Sequence, residues 1–495
     1  MRAFQAHRER NPVFNFASVS VHEIARNNLR LDVSCYGIEA RQASKVLEEC
    51  KWGVKSLGDI VRGVFYLSRF KRVYVSETNG VPFILPSQIT DISPKATKFI
   101  SLAALEGQNI IENSKAKLGQ ILLTRSGTVG VCSYVSKTLE GHILSDDIIR
   151  IEPAEYSGYV YAYLKSQIGR TLVETNNYGS VVKHIEPEHL NNLPIPSPHY
   201  SLKQKIHNLI EQSFLLRDQS NEIMTEAKIL LKEALQLPDI QKIHTMAQQL
   251  NKERNCLNYS VPFSKVKNRL DSSYYVPVIQ IIERYLYKNA KEVAHVGDKR
   301  ICQAILLLGR FSRNYTQEGN GVIFFGGKQI YELDPSNKKY LSLAHHADRI
   351  ENELVLHENM TMITCSETIG KVTIAPKHWE GWTANQHIIR AVPANDEIAG
   401  YLYAWMSSDY AHPLIVRFSY GAVVDEIDNN QISQVSIPLL KNVAQQKKIN
   451  DKVLDANKKR TQAYKLEQEA LSILNGKVIY AQLNPHKNQQ FLHGL

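Results

Sequence analysis

The residues best suited to chemistry come in small, incomplete groups. Asp146 and Asp147 are adjacent carboxylates of the kind that hold a divalent cation for phosphodiester cleavage. His345, His346 and His387 offer imidazoles, but no cysteine or carboxylate completes a metal-ligand spacing with them. Gly127-Thr128-Val129-Gly130 could cradle a phosphate, yet it lacks the third glycine and the acidic residue of a dinucleotide fold. Gly476-Lys477 has no preceding nucleotide-binding loop and is followed by Val478. The Asn/Asp-Pro-Pro-aromatic strand end of an amino-methyltransferase is missing too, because Asn11-Pro12-Val13 and Asn484-Pro485-His486 each lack the second proline. Six scattered cysteines (Cys35, Cys50, Cys132, Cys256, Cys302, Cys365) include no C-x-x-C pair and read as reduced thiols. The expectation is a chain with no catalytic residues, no metal and no directly bound cofactor, a binder rather than a catalyst.

The elements that position these residues emerge from self-comparison. The stretch from Gly80, GVPFILPSQITDISPKATKFIS, lies over GVIFFGGKQIYELDPSNKKYLS from Gly321 without a gap, at an offset of 241. Arg30-Leu31-Asp32-x-Ser34-x-Tyr36 matches Arg269-Leu270-Asp271-x-Ser273-x-Tyr275, and Arg69-Phe70-x-Arg72-x-Tyr74 matches Arg310-Phe311-x-Arg313-x-Tyr315. Thr124-x-Ser126-x-Thr128-x-Gly130 recurs as Thr364-x-Ser366-x-Thr368-x-Gly370, Ile148-Ile149-Arg150 as Ile388-Ile389-Arg390, and Tyr178-Gly179-x-Val181-Val182 as Tyr420-Gly421-x-Val423-Val424. A period this long means two duplicated domains rather than a solenoid. The acid pair does not survive the comparison, since Gln386 and His387 stand at its places, so a surface turn or a recognition role suits it better than a metal site.

Each unit begins with short β-branched runs punctuated by Gly, Pro and Asn, which predict an irregular β-rich domain. After Leu193-Pro194-Ile195-Pro196-Ser197-Pro198 a stretch without Gly or Pro runs from about Tyr200 to Leu237. Leu202, Leu209, Leu216, Ile223 and Leu230 recur every seven residues there, with Ile206, Ser213, Ser220 and Ala227 between them, which predicts a heptad seam about 50 Å long. Ile437-Pro438 leads into a second such stretch, where Ile449, Val453, Ala456 and Leu466 mark the apolar face. Arg460 sits in that seam, and the step from Ala463 to Leu466 predicts a slip of register. The fold class expected is α+β: two tandem β-rich domains separated by long helices pairing as an antiparallel coiled coil. The boundaries are 1–198 and 239–438 (with a linker) for the domains, 199–238 and 439–480 for the helices, and 481–495 for a tail. A two-fold relation between units would set them at opposite ends of a helical spacer, as a dumbbell.

Lys and Arg number 59 against 49 Asp and Glu, giving +10 and a pI of about 9.0, a tilt towards an anionic partner such as nucleic acid. Polar residues shared by both units suit phosphate, and unit-specific ones suit bases. Arg69, Arg72, Arg310 and Arg313 form the first group, with the turn hydroxyls of Ser126, Thr128, Ser366 and Thr368. Lys71 (against Ser312), Arg125 (against Cys365), Lys183 (against Asp425) and Lys328 (against Ser87) form the second, with Lys371 added to the candidates. Tyr178 and Tyr420 read as aromatic plugs beside a tight turn. Met1 to Arg10 has no apolar signal region and no run approaches bilayer length, so a cytoplasmic, unanchored protein is expected.

The ordered sequence of β-rich unit, Ile-Pro exit and heptad helix, then all of it again, resembles the specificity subunit of Type I restriction-modification enzymes. The resemblance runs from Arg30 to about Leu474 and rests on Arg-Leu-Asp-x-x-x-Tyr, Tyr-Gly-(Ser/Ala)-Val-Val, and the Ile-Pro helix approach with Gln204 and Gln445-Gln446. Ser201-Leu202-Lys203-Gln204 departs from it by lacking a Glu-Gln pair, and Leu237 to Asn268 is a long join. The resemblance implies a non-catalytic subunit that reads a bipartite, asymmetric double-stranded DNA target. It also implies two methyltransferase subunits, which bring S-adenosylmethionine and methylate adenine, and allows motor-nuclease subunits. A related phage-defence methylation system, a stand-alone repressor and an unrecognised nuclease or methyltransferase remain open at this point.

Overall fold

The computed structural model describes residues 18–26, 36–101, 103, 110–175, 184–249, 259–266, 269–421 and 424–481. Short β-branched and aromatic runs become strands because Gly, Pro or Asn cuts each off within a few residues. In the first unit Val61–Phe65, Ile148–Pro153, Ile121–Thr124 and Cys132–Tyr134 lie in that order in an antiparallel sheet. Tyr74–Val75, Lys98–Ile100, Val81–Ile84 and Ile143–Leu144 form a second sheet whose last pair is parallel. The second unit repeats both orders with Cys302–Leu306, Ile388–Pro393, Thr361–Thr364 and Val372–Ile374, then Tyr315–Thr316, Tyr340–Ser342, Gly321–Phe325 and Thr383–Ala384. Even the register shift between Val61 and Gly63 recurs between Cys302 and Ala304. The duplication read from short strings is therefore a duplication of topology.

The proline-rich exits pair at a sheet edge, Pro194–Pro196 with Val54–Ser56 and Ser436–Leu439 with Glu292–His295, where a missing N–H is tolerated. Two long helices follow, Tyr200–Ala234 and Val443–Ile473. They run antiparallel, for Ser213 donates to the Ala463 carbonyl at 2.7 Å, Arg460 to Ser220 at 3.0 Å and Lys452 to Glu226 at 2.7 Å.

The buried line differs from the leucine heptad. On the first helix it passes through Ile206, Ile210, Ser213, Ser220, Met224, Ala227 and Leu231, while Leu202, Leu209, Leu216, Ile223 and Leu230 are only half-buried along its flank. Small side chains at 213, 220 and 227 let the helices approach closely there, and the heptad leucines flank that line. On the second helix Ile449, Val453, Ala456, Arg460, Ala463, Glu467 and Ala470 are buried. No register slip occurs: Glu467, not the half-buried Leu466, takes the seam position. At an offset of 449 − 206 = 243 the two buried lines superpose residue for residue, and Arg217 falls on Arg460.

Each unit docks on its own helix through a glycine. Gly158 donates its N–H to His207 Nδ1 at 3.1 Å, and Gly400, its counterpart, donates to Asn450 Oδ1 at 2.8 Å. A Cβ would lie 2.7 Å from the His207 carbonyl oxygen in the first case and 2.3 Å from that of Asn450 in the second, so both crossings demand glycine.

The units sit towards opposite ends of the helical pair, but the bare spacer of a dumbbell is not there. Asp91 and Glu332, equivalent residues at the 241 offset, form an antiparallel bridge, and the Ile92 N–H donates to the Tyr331 carbonyl at 2.9 Å. The local two-fold axis passes through this contact, so the units touch at their own equivalent loops.

Candidate nucleic-acid interface

In both units Arg-Phe-x-Arg-x-Tyr builds one arrangement. The Arg72 guanidinium lies 5.6 Å from the Phe83 ring and 6.0 Å from the Phe70 ring, and Arg313 lies 5.5 Å from Phe324 and 6.0 Å from Phe311. Lys98 covers Tyr74 at 4.7 Å and Lys339 covers Tyr315 at 5.5 Å. This recurring lysine was missing from the candidates, although the aligned strings carry it at the same place in both copies.

The Thr-x-Ser-x-Thr-x-Gly string is the turn between Ile121–Thr124 and Cys132–Tyr134, and between Thr361–Thr364 and Val372–Ile374. The Thr124 hydroxyl donates to the Thr128 carbonyl and accepts from Val131 N–H at 3.0 Å. Thr364 repeats both bonds with Thr368 and Lys371. That pinch turns Thr128 and Thr368 outwards as exposed residues and leaves Ser126 and Ser366 half-exposed.

In the second unit these parts converge on one groove of about 310 Å³. Arg313, Lys328, Lys371, Ser366 and Thr368 from the candidate set line it, with Lys339, Asn385, His387 and Glu367. Among the described residues none of its four cations forms an ion pair; Arg313 donates to the neutral Gln386, and Lys371 lies 5.4 Å from the Tyr331 ring. Four cations against one carboxylate make the groove an electropositive site.

The first unit has the same architecture with its charges answered internally. Arg72 is paired with Asp146, where the second unit has Gln386. Arg125 is buried, donates to Glu186 at 2.5 Å, approaches Asp147 at 3.8 Å and lies 4.2 Å from the Tyr66 ring. It is thus no exposed reader of guanine, which corrects that expectation. The acid pair likewise faces arginines, which accounts for it without a metal.

The other candidates are dispersed. Arg69 and Lys71 are exposed on the segment before Tyr74–Val75, outside the groove. Arg310 is 81% exposed and only 3.6 Å from Glu426, a weak pair that a phosphate can displace. Lys183 and Tyr178 lie outside the described residues. Tyr420 is 45% exposed and so is not a core plug; its backbone exchanges hydrogen bonds with Glu426 at 3.0 and 2.7 Å. Gly421 beside it has φ +125, and a Cβ there would meet the Val424 oxygen at 2.0 Å. Arg269 of the Arg-Leu-Asp signature braces this segment by donating to the Phe418 and Ser419 carbonyls at 3.0 and 2.9 Å while paired with Asp271.

A larger cleft of about 740 Å³ opens where the units meet and shares Lys339 with the groove. Its cations Lys165 and Arg217 are engaged by Glu467, so it offers less to an anion. No described helix is long and apolar enough to cross a membrane.

No protein-family model and no curated protein matches the chain. Among solved structures it is similar to the Type I restriction-modification S subunit from M. genitalium, at 11% identity over 87% of this chain and 96% of that one, with a TM-score of 0.31. The HsdS subunit from Thermoanaerobacter tengcongensis aligns at 15% identity over 86% and 96%, with a TM-score of 0.26. A chain from a structure of the assembly and conformational transition of the type I R-M system aligns at 15% over 86% and 97%, also at 0.26. TM-scores of this size carry no argument; the features that bear on function are the duplication, the helical pair and the groove of the second unit.

Proposed function

We propose that the chain is the DNA-specificity subunit of a Type I restriction-modification complex. It reads a bipartite, asymmetric double-stranded target and recruits two adenine methyltransferase subunits, with motor-nuclease subunits as possible further members. The observation that carries this is the placement of two topologically equivalent units, one with an electropositive groove and one with its charges paired internally, towards opposite ends of one antiparallel helical pair. Helices about 50 Å long suit half-sites about one DNA turn, roughly 34 to 36 Å, apart. Catalysis and S-adenosylmethionine belong to the companion subunits in this reading, and the chain supplies sequence choice in the cytoplasm.

The test is purification of the tagged chain from its native host, with the stoichiometry of any companion and genomic adenine methylation mapped with and without its gene. Two methyltransferase copies per chain, and loss of methylation at one split asymmetric motif, are expected. A lone protein with unchanged methylation contradicts the proposal and favours a repressor.

A further inference from the structure

The turns of the two units differ at one position where local energetics favour the other residue. Glu367 has φ +61, in the left-handed region, and its counterpart Gly127 has φ +74. A Cβ at Gly127 would meet nothing within 4 Å, so space does not select the residue at this turn; backbone preference does, and it favours glycine. Asn359 shares that conformation at φ +66 opposite Gly119, but asparagine tolerates it, and its side chain is bonded to Asp396 and Asn457. Glu367 has no such anchor: it is exposed and forms no ion pair among the described residues. Its carboxylate also lies in the groove with Arg313, Lys328, Lys339 and Lys371, where it lowers the attraction for phosphate.

A carboxylate held against both disadvantages needs a ligand that glycine cannot serve. On a base edge the groups that donate to a carboxylate are exocyclic amines, cytosine N4 above all and adenine N6. We infer that Glu367 is a specificity-determining residue that accepts a hydrogen bond from an exocyclic amino group in the half-site read by the second unit. The inference rests on the DNA-reading function proposed above. Gly127 offers no side-chain acceptor at the equivalent place, so on this inference the two units read unlike bases.

The experiment is binding-site selection from a randomised duplex library by the full-length chain, with whatever subunits co-purify, unaltered and as E367G. The unaltered chain is expected to require an amino-bearing base at one position of one half-site, cytosine or adenine being told apart by the selected base. E367G should lose preference there alone, by about 10-fold or more, while binding random duplex as tightly or more tightly and melting no lower. An unchanged motif, or preference lost evenly across all positions, overturns the inference. If the unaltered chain enriches no motif, the DNA-reading proposal itself falls and takes the inference with it.

Discussion

Arg217 on the first long helix donates to Glu467 on the second at 2.7 Å, inside the seam that joins them. Tyr161 and Lys165 of the first unit reach the same carboxylate at 2.6 and 3.1 Å. Burial alone would raise the Glu467 pKa, but Arg217 and Lys165 hold it well below the usual carboxylate range. The equivalent of Glu467 on the first helix is Met224, so Arg460, the equivalent of Arg217, meets the Ser220 and Tyr403 hydroxyls in place of a carboxylate. One end of the pair is therefore closed by a buried charge cluster, and the other by an arginine on neutral hydroxyls.

Replacing Glu467 by methionine leaves half-buried Arg217 without its carboxylate and Lys165 with Asp334 at 3.8 Å. A loss of about 3 to 5 kcal/mol is expected in chemical denaturation. Because the folded pKa of Glu467 is depressed, its contribution is complete above pH 4.5 and drains away as pH falls towards about 2. E467Q should flatten that part of the acid-unfolding curve.

The contact between units titrates in the opposite sense. Burial raises Asp91 from 3.8 to about 7 against the attraction of Lys371, and burial raises Glu332 as well. An acid with a raised folded pKa weakens the fold as pH climbs from its unfolded to its folded value. The interface should loosen between about pH 4 and 7. D91N should remove the Asp91 share of that dependence, leaving that of Glu332, and protect the amides of 89–92 and 330–333 from hydrogen exchange at pH 8.

The glycine crossings give a steric prediction. G400A drives a Cβ to 2.3 Å from the Asn450 backbone oxygen, and G158A does the same at 2.7 Å from His207. Both should destabilise by more than about 2 kcal/mol in thermal melts, G400A more. A milder loss for G400A than for an exposed alanine substitution would show that the docking is looser than described.

Salt dependence separates the two units. Each lysine that contacts phosphate steepens the plot of log K against log salt by about 0.9. K328A/K339A/K371A should lower the slope on random duplex by roughly 2 to 3. Removing Lys98 from the first unit should lower it by at most about 1, since Arg72 and Arg125 of that unit are already paired. Equal slopes for the two variants would contradict the charge asymmetry.

The duplication, the antiparallel helices and the polar turn were legible in the sequence because equivalent residues do equivalent work. Thr124 and Thr364 pinch the same turn, and Arg72 and Arg313 pack on the same pair of phenylalanines. The seam was legible in part: Ile206, Ser213, Ser220 and Ala227 lie on the buried line as expected, whereas Leu202, Leu209, Leu216, Ile223 and Leu230 flank it, because periodicity ranks residues by apolarity and close helix approach favours small ones. Glu467 was invisible for the same reason, since only three-dimensional neighbours make a buried carboxylate tolerable. Arg125 looked like a base reader because Glu186, its partner, lies 61 residues away. Arg150 and Arg390 recurred in the strings without a role; Arg150 donates to the Asn113 and Ser114 carbonyls at the end of a short helix, which no spacing announces.

The central claim is that one chain sets two unlike readers on DNA at a fixed separation. Hydroxyl-radical footprinting of the full complex on its selected duplex tests it most directly. Two protected patches about one helical turn apart are expected, with the gap cut freely; R69A/K71A should erase one patch and K328A/K371A the other. A single continuous patch, or two patches that vanish together, would contradict it.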